Sequence, residues 1–212
     1  MEFMTGYYRQ KEESTALLLQ QYVCRDVPVC LGCICGGEGR EAGIAGGLFT
    51  GRLLEAFRGF SLSGAVDKPS KFLQRMERQL DKCRECWVCS PDFWTAGIVC
   101  TGDLFLLFSR GEVRVVLCNV GFGRPALQEI KGKEGGNRTQ LQFRRGSMET
   151  GIGILLASDS FYGKIPQEEL QSCLSVKDIS DSGQTRKRMQ ELGCAAERRG
   201  GRGMAALLLE VR

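Results

Sequence analysis

Apolar positions along the chain fall into two spacings, and their order sketches the elements before any chemistry is considered. Ala16 to Val23 (ALLLQQYV) and Val29 to Cys35 (VCLGCIC) are short apolar, β-tolerant runs separated by Arg25, Asp26 and Pro28, which predicts a strand, a turn and a second strand. The second run ends in Gly36, Gly37 and Gly39. Beyond it Ile44, Leu48, Leu53, Leu54 and Phe57 take a broadly helical spacing despite Gly46, Gly47 and Gly51. A loop is expected from Gly59 to Pro69. A second helix should follow, with Ser70 as N-cap and Phe72, Leu73, Met76 and Leu80 on one face, ending near Asp81.

Beyond Pro91, the stretches Thr95 to Thr101, Leu104 to Ser109 and Val113 to Cys118 predict three strands joined by tight turns at Gly102-Asp103 and Arg110-Gly111, a meander. Lys131 to Arg138 (KGKEGGNR) reads as an exposed loop. Thr139 to Phe143 and Gly151 to Ala157 read as strands, the second apolar enough to be buried on both faces. Pro166 opens a short helix through Leu174, and Ser182 to Arg199 is a longer one with Met189, Leu192 and Ala196 at a spacing of three or four. Met204 to Val211 closes the chain as a strand, and no segment repeats. Helices grouped in pairs between groups of strands give an α+β class with antiparallel sheets.

Composition narrows the class of protein. With 212 residues, 42% hydrophobic and 25% charged, the chain can fill one core, and a single domain over residues 1–212 is expected. No apolar run is long enough for a bilayer span, and Met1 to Gln10 has no basic segment followed by an apolar stretch. A cytoplasmic protein without a membrane partner is the expectation. A net charge of +4 supplies no concentrated basic footprint, so no nucleic acid partner is expected. The absence of histidine excludes His-dependent triads and His-ligated zinc. Eleven cysteines are an odd number, so they cannot all pair within the chain, and reduced thiols are expected.

Three short motifs carry possible chemistry. Gly37-x-Gly39-x-x-Ala42 follows a strand and precedes a helix as a dinucleotide fingerprint does, but a second helix stands where that unit needs a parallel strand. Cys30-x-x-Cys33-x-Cys35 and Cys83-x-x-Cys86-x-x-Cys89 have spacings suited to zinc or redox chemistry. Alternation along a strand turns Cys30 away from Cys33 and Cys35, so the first set cannot converge, and the second sits at a helix end and needs partners from elsewhere. Arg198 to Gly203 (RRGGRG) is one copy of an arginine-glycine segment and reads as a solvated turn.

Four segments and the C-terminus, in order, resemble the metal-dependent type 2C (PPM-type) Ser/Thr protein phosphatases. Arg9 to Leu19 (RQKEESTALLL) resembles the family's opening strand, Cys33 to Gly43 (CICGGEGREAG) its Asp-Gly loop, Arg110 to Val115 (RGEVRV) its Gly-Asp-Ser-Arg strand, and Leu155 to Tyr162 (LLASDSFY) its Ser-Asp-Gly segment. Arg202 to Leu209 stands where the family has Asp-Asn and its last strand. The resemblance implies a four-layer α-β-β-α sandwich of two antiparallel sheets flanked by helices, in a divergent, bacterial-like member.

That family hydrolyses phosphoserine and phosphothreonine with water activated between two Mg²⁺ or Mn²⁺ ions, hard cations that take several carboxylate oxygens. Carried over residue by residue, most ligands are missing. Thr15, or Ser14 in the alternative register, stands at the first Asp, Gly36 at the Asp of the Asp-Gly loop, Arg202 at the Asp of the final pair, and Glu112 at the structural Asp. Asp159 alone is retained, Gly37 offers a backbone carbonyl, and Glu38 is a carboxylate that can compensate. Arg9 and Arg202 are candidates for holding a phosphate, since guanidinium donors match its geometry. The resemblance thus implies a degenerate phosphatase acting as a binding or regulatory module in signalling, without a cofactor, its protein partner a phosphoprotein or a kinase. An active phosphatase with a rebuilt Mg²⁺ or Mn²⁺ site, and a cysteine-based zinc or redox protein, are the alternatives.

Overall fold

The computed structural model describes residues 2–11, 14–62, 67–86, 90, 92–119, 127–129, 140–174 and 182–211. The first strand, β1 (Phe3–Arg9), is followed by the expected pair β2 (Thr15–Cys24) and β3 (Val27–Gly36), turned at Arg25 and Asp26, both at positive φ. Next comes α1 (Gly39–Leu62), whose Ala42, Ala45, Phe49, Leu53 and Phe57 recur at helical spacing and are buried. It runs past Gly59, where a loop was expected, because Ser61 is buried and bonds back to the Phe57 carbonyl at 2.7 Å.

Pro69 rather than Ser70 opens α2 (Pro69–Lys82), with Lys68 at the cap, since proline in the first turn forgoes an N–H the helix does not use. Its buried face is Phe72, Leu73, Met76 and Leu80, as the spacing predicts, each contributing about 1.5–3 kcal/mol by leaving water. A short 3-10 turn, Cys83–Cys86, ends it.

Strands β4 (Trp94–Thr101), β5 (Leu104–Arg110) and β6 (Val113–Asn119) follow, yet only the first two pair. The chain changes sheets at Gly111 (φ +76), so the expected meander is broken there. The strand expected over Thr139 to Phe143 lies at β8 (Gln142–Ser147), after a short β7 (Leu127–Glu129) that the sequence pattern does not signal. The loop expected at Lys131 to Arg138 lies outside the described residues. Then come β9 (Ile152–Ser158), the one-turn α3 (Asp159–Tyr162), α4 (Gln167–Leu174), α5 (Ser182–Arg198) and β10 (Ala205–Val211).

Among the described residues the strands form two sheets, β2-β3-β4-β5-β8 and β1-β10-β9-β6-β7, with every pairing antiparallel. Parallel βαβ pairing, which a dinucleotide fold needs, is not formed there. Period-two alternation divides the core into three layers. Leu155 and Leu208 face α3 to α5, Leu156 and Leu207 face the opposing sheet, and Leu31, Leu106 and Phe108 face α1 and α2. This is the α-β-β-α sandwich that the resemblance implies, in the α+β class.

Candidate functional site

Antiparallel pairing brings six chain segments to one end of the sandwich, because β3 ends where β4 begins and β9 ends where β10 begins. They surround a cleft of about 610 Å³. Its walls are Ser14, the turn Gly37 to Gly39, the entry to β4 at Asp92 to Trp94, the sheet-changing turn Gly111-Glu112, the start of α3 at Ser158 to Ser160, and Arg202-Gly203 before β10.

Ser158 organises the wall at the start of α3. Its hydroxyl accepts from the Phe161 N–H and the Ala205 N–H, both at 3.3 Å, so one side chain caps α3 and ties it to β10. The Asp159 N–H donates to the Glu112 carbonyl at 3.1 Å, which joins the α3 turn to the turn before β6. Asp159 is therefore fixed at its backbone, and its carboxylate is engaged too. Arg114, on β6, donates through Nε to Asp159 Oδ1 at 2.6 Å and through Nη1 to Glu129 Oε1 at 2.7 Å. The two carboxylates raise the pKa of the Arg114 guanidinium, Glu129 being the larger influence. All three side chains are a third or more exposed, so the pairing contributes under about 1 kcal/mol to folding. It nevertheless places a fixed positive charge on the acid that the resemblance assigns to metal.

On the opposite wall, Gly36 pairs with Trp94 across β3 and β4. A Cβ at Gly36 would lie 2.5 Å from the Trp94 ring and 2.9 Å from the Ser14 carbonyl, so the indole fills the space a side chain there would need. Trp94 is held from below by Gly111, where a Cβ would lie 2.9 Å from Trp94 Cβ. Beside it Arg110 is buried, donates to the Phe93 carbonyl and stacks 5.7 Å from the Phe93 ring centroid. Burial lowers its pKa.

Of the residues singled out in the sequence, the structure brings Gly37, Glu38, Glu112, Asp159 and Arg202 to the cleft. Thr15 is buried, its hydroxyl donating to the Gln10 carbonyl at 3.2 Å, and its neighbour Ser14 reaches the lining. Arg9 is exposed and is not in the lining. Its guanidinium donates to the Thr15 carbonyl at 3.5 Å. The sequence assigns no role of their own to Asp92, Trp94, Arg114 and Ser158, although Arg114 and Ser158 lie within the segments Arg110 to Val115 and Leu155 to Tyr162. Asp92 sits in a turn with no motif of its own, and each of the other three acts through at least one partner remote in sequence.

Among the described residues four acids thus line the cleft, Glu38, Asp92, Glu112 and Asp159, with Arg202 the cation among them. Among the described residues no three acids or cysteines come close enough together to hold a metal ion. Two hard cations need about six oxygen ligands each. With Asp159 engaged by Arg114 and Trp94 standing over Gly36, the described side chains do not fit a two-metal site.

The described cysteines are not in the lining of this cleft. Cys33 and Cys35 face α1 and α2 whereas Cys30 faces the other sheet, the divergence that alternation predicts. Cys83 and Cys86 share the 3-10 turn, and Cys89 lies outside the described residues. Burial pushes the thiol pKa up to about 12 at Cys30 and, with Glu210 adding to it, at Cys118, and up to about 11 at Cys83, where Cys86 contributes. A higher pKa leaves less thiolate, the reactive form. Of the ten described cysteines, exposed Cys194 should therefore react first with a thiol reagent at pH 8, with Cys30, Cys100 and Cys118 reacting only on unfolding. Timed alkylation with peptide mapping checks this. Stoichiometric zinc released on unfolding contradicts it.

No protein-family profile matches the sequence, and no curated protein does. Solved structures do match. PppA, a key regulatory component of T6SS in Pseudomonas aeruginosa, is 14% identical, with 100% of this chain and 99% of that one covered at a TM-score of 0.70. The catalytic domain of the serine/threonine phosphatase PstP, in complex with two manganese ions, is 16% identical over 98% of this chain and 96% of that one, at 0.65. The PPM Ser-Thr phosphatase MsPP from Mycobacterium smegmatis is 11% identical over 100% and 99%, at 0.64. At these identities the likeness is one of fold: the chain has the fold of PPM-type Ser/Thr phosphatases. Among the described residues no helix is long and apolar enough to cross a membrane.

Proposed function

We propose that this chain is a catalytically degenerate PPM-type phosphatase that works as a binding or regulatory module, its cleft receiving a protein partner. The observation that carries the reading is the pairing of Asp159 with Arg114, which gives the one retained acid a cation from the protein itself. Trp94 over Gly36 and Arg202 in the lining support it, each standing where the resemblance expects a carboxylate. Four acids outnumber Arg202 around the cleft, which disfavours a bare phosphate there. They favour a polypeptide that carries cations of its own, as the surface of a kinase or the sequence around a phosphosite does.

The same four acids favour the second reading, a phosphatase whose metal site has been rebuilt, and one experiment separates the two. A ligand at 100 times its dissociation constant stabilises a fold by about 2.7 kcal/mol, or about 5–10 °C in melting temperature at this size. Millimolar Mn²⁺ or Mg²⁺ is expected to move the midpoint by no more than about a degree. Phosphopeptide and aryl phosphate hydrolysis should not exceed that of Asp159→Ala. A metal-dependent shift together with hydrolysis lost in Asp159→Ala establishes the rebuilt site instead.

A further inference from the structure

The outward face of α1 carries a pattern that the cleft does not use. At 100° per residue, positions 40, 44, 47, 48, 51 and 55 fall in one stripe, opposite the side that buries Phe49, Leu53 and Phe57. Ile44 and Leu48 are 57% and 55% exposed and, with Val23, are the exposed large apolar side chains among the described residues. Beside them a Cβ at Gly47 or Gly51 would meet nothing within 4 Å. No described neighbour requires glycine at either place, yet each weakens the helix relative to alanine. Bare backbone flanked by exposed aliphatic side chains admits the close approach of another helix, knob into groove.

The stripe also specifies the other helix. Its spacing is its own mirror image about the midpoint between Gly47 and Leu48: Arg40 and Glu55 lie at the ends, Ile44 and Gly51 inside them. Two antiparallel copies set Arg40 against Glu55 of the second copy and Glu55 against its Arg40, while Ile44 meets Gly51 and Leu48 meets Gly47. Arg40 and Glu55 are exposed, and neither has an ion-pair partner among the described residues. Opposite charges, bulky against bare, and the same surface on both sides are the requirements of a two-fold interface. We propose that the outer face of α1 is the contact of a homodimer in which two copies pack antiparallel about the Gly47–Leu48 midpoint. The proposal is independent of the reading of the cleft.

A contact built on one helix pair belongs with interfaces below about 1,200 Å², which are weak, so dissociation constants of tens to hundreds of micromolar are expected. Sedimentation of the full chain from about 1 to 500 µM should show the monomer giving way to dimer. Gly51→Leu fills the groove on an exposed face, so it should keep the fold while weakening dimerisation at least about tenfold. Arg40→Glu and Glu55→Arg should each weaken it about tenfold by opposing like charges, and the double reversal should restore it to within about threefold. Melting curves at low concentration establish that each variant is folded. The proposal is overturned by a monomer throughout the range, by a dimer indifferent to Gly51→Leu, or by a double reversal no better than the single ones.

Discussion

Gly36→Asp, which puts back the carboxylate that the family resemblance expects, should destabilise the protein by about 3 kcal/mol rather than restore a metal site. The new Cβ would stand 2.5 Å from the Trp94 ring and 2.9 Å from the Ser14 carbonyl, closer than a Cβ packs against either, so the mostly buried indole or the backbone must shift to admit it. Overpacking of this kind costs about 1–3 kcal/mol, and a charge brought into a buried strand pair adds to it. The cause can be isolated. Trp94→Ala removes the ring, so the double variant Gly36→Asp/Trp94→Ala should lose less than the sum of the single losses, by about 1 kcal/mol or more. Urea midpoints of the four proteins provide the cycle. Gly36→Asp as stable as its parent would falsify the placement of the indole over that backbone.

A loss of similar size is expected at a position with no part in the cleft's chemistry. Phe49 is fully buried, with its ring 5.9 Å from that of Phe93 and 6.1 Å from that of Phe108 in edge-on packing. Phe49→Ala should cost about 4 kcal/mol, or roughly 8–16 °C in melting temperature. Leu48→Ala, next to it in sequence and 55% exposed, should stay within about 0.5 kcal/mol when measured below the concentration at which the chain associates. Equal losses at the two positions would show that α1 lies on the sheet in another rotation.

The sequence makes legible those elements whose burial is set locally. In β3 (VCLGCIC), α2 and α5 the periodicity shows both the element and its buried face, and the split of Cys30 from Cys33 and Cys35 follows from alternation alone. β1 is hidden because Thr5 and Gly6 interrupt its apolar run, while its burial comes from pairing with β10 and packing against α5. The pattern of β6 marks a strand without saying which sheet takes it, since that depends on the backbone at Gly111. The cleft divides in the same way. Motif order leads to Gly37, Glu38, Glu112, Asp159 and Arg202, each adjacent in sequence to the element that positions it. The hold of Arg114 on Asp159 joins residues 45 apart, and the cover of Trp94 over Gly36 exists only once two strands are in register.

Pairing of β1 with β10 sets Tyr7 opposite Leu207, about two hundred residues later in the chain. A ribosome makes β1 long before its only hydrogen-bonding neighbour among the described strands, so Phe3, Met4 and Tyr8 stay without their β10 contacts until that strand has been made. The other sheet closes earlier, since β2 to β5 pair consecutively. Closing a loop this long carries a large entropic toll that local contacts cannot offset beforehand, which makes the β1–β10 seam a late event in folding. During translation the half-built protein therefore exposes an apolar strand edge, the kind of surface that nascent-chain chaperones bind.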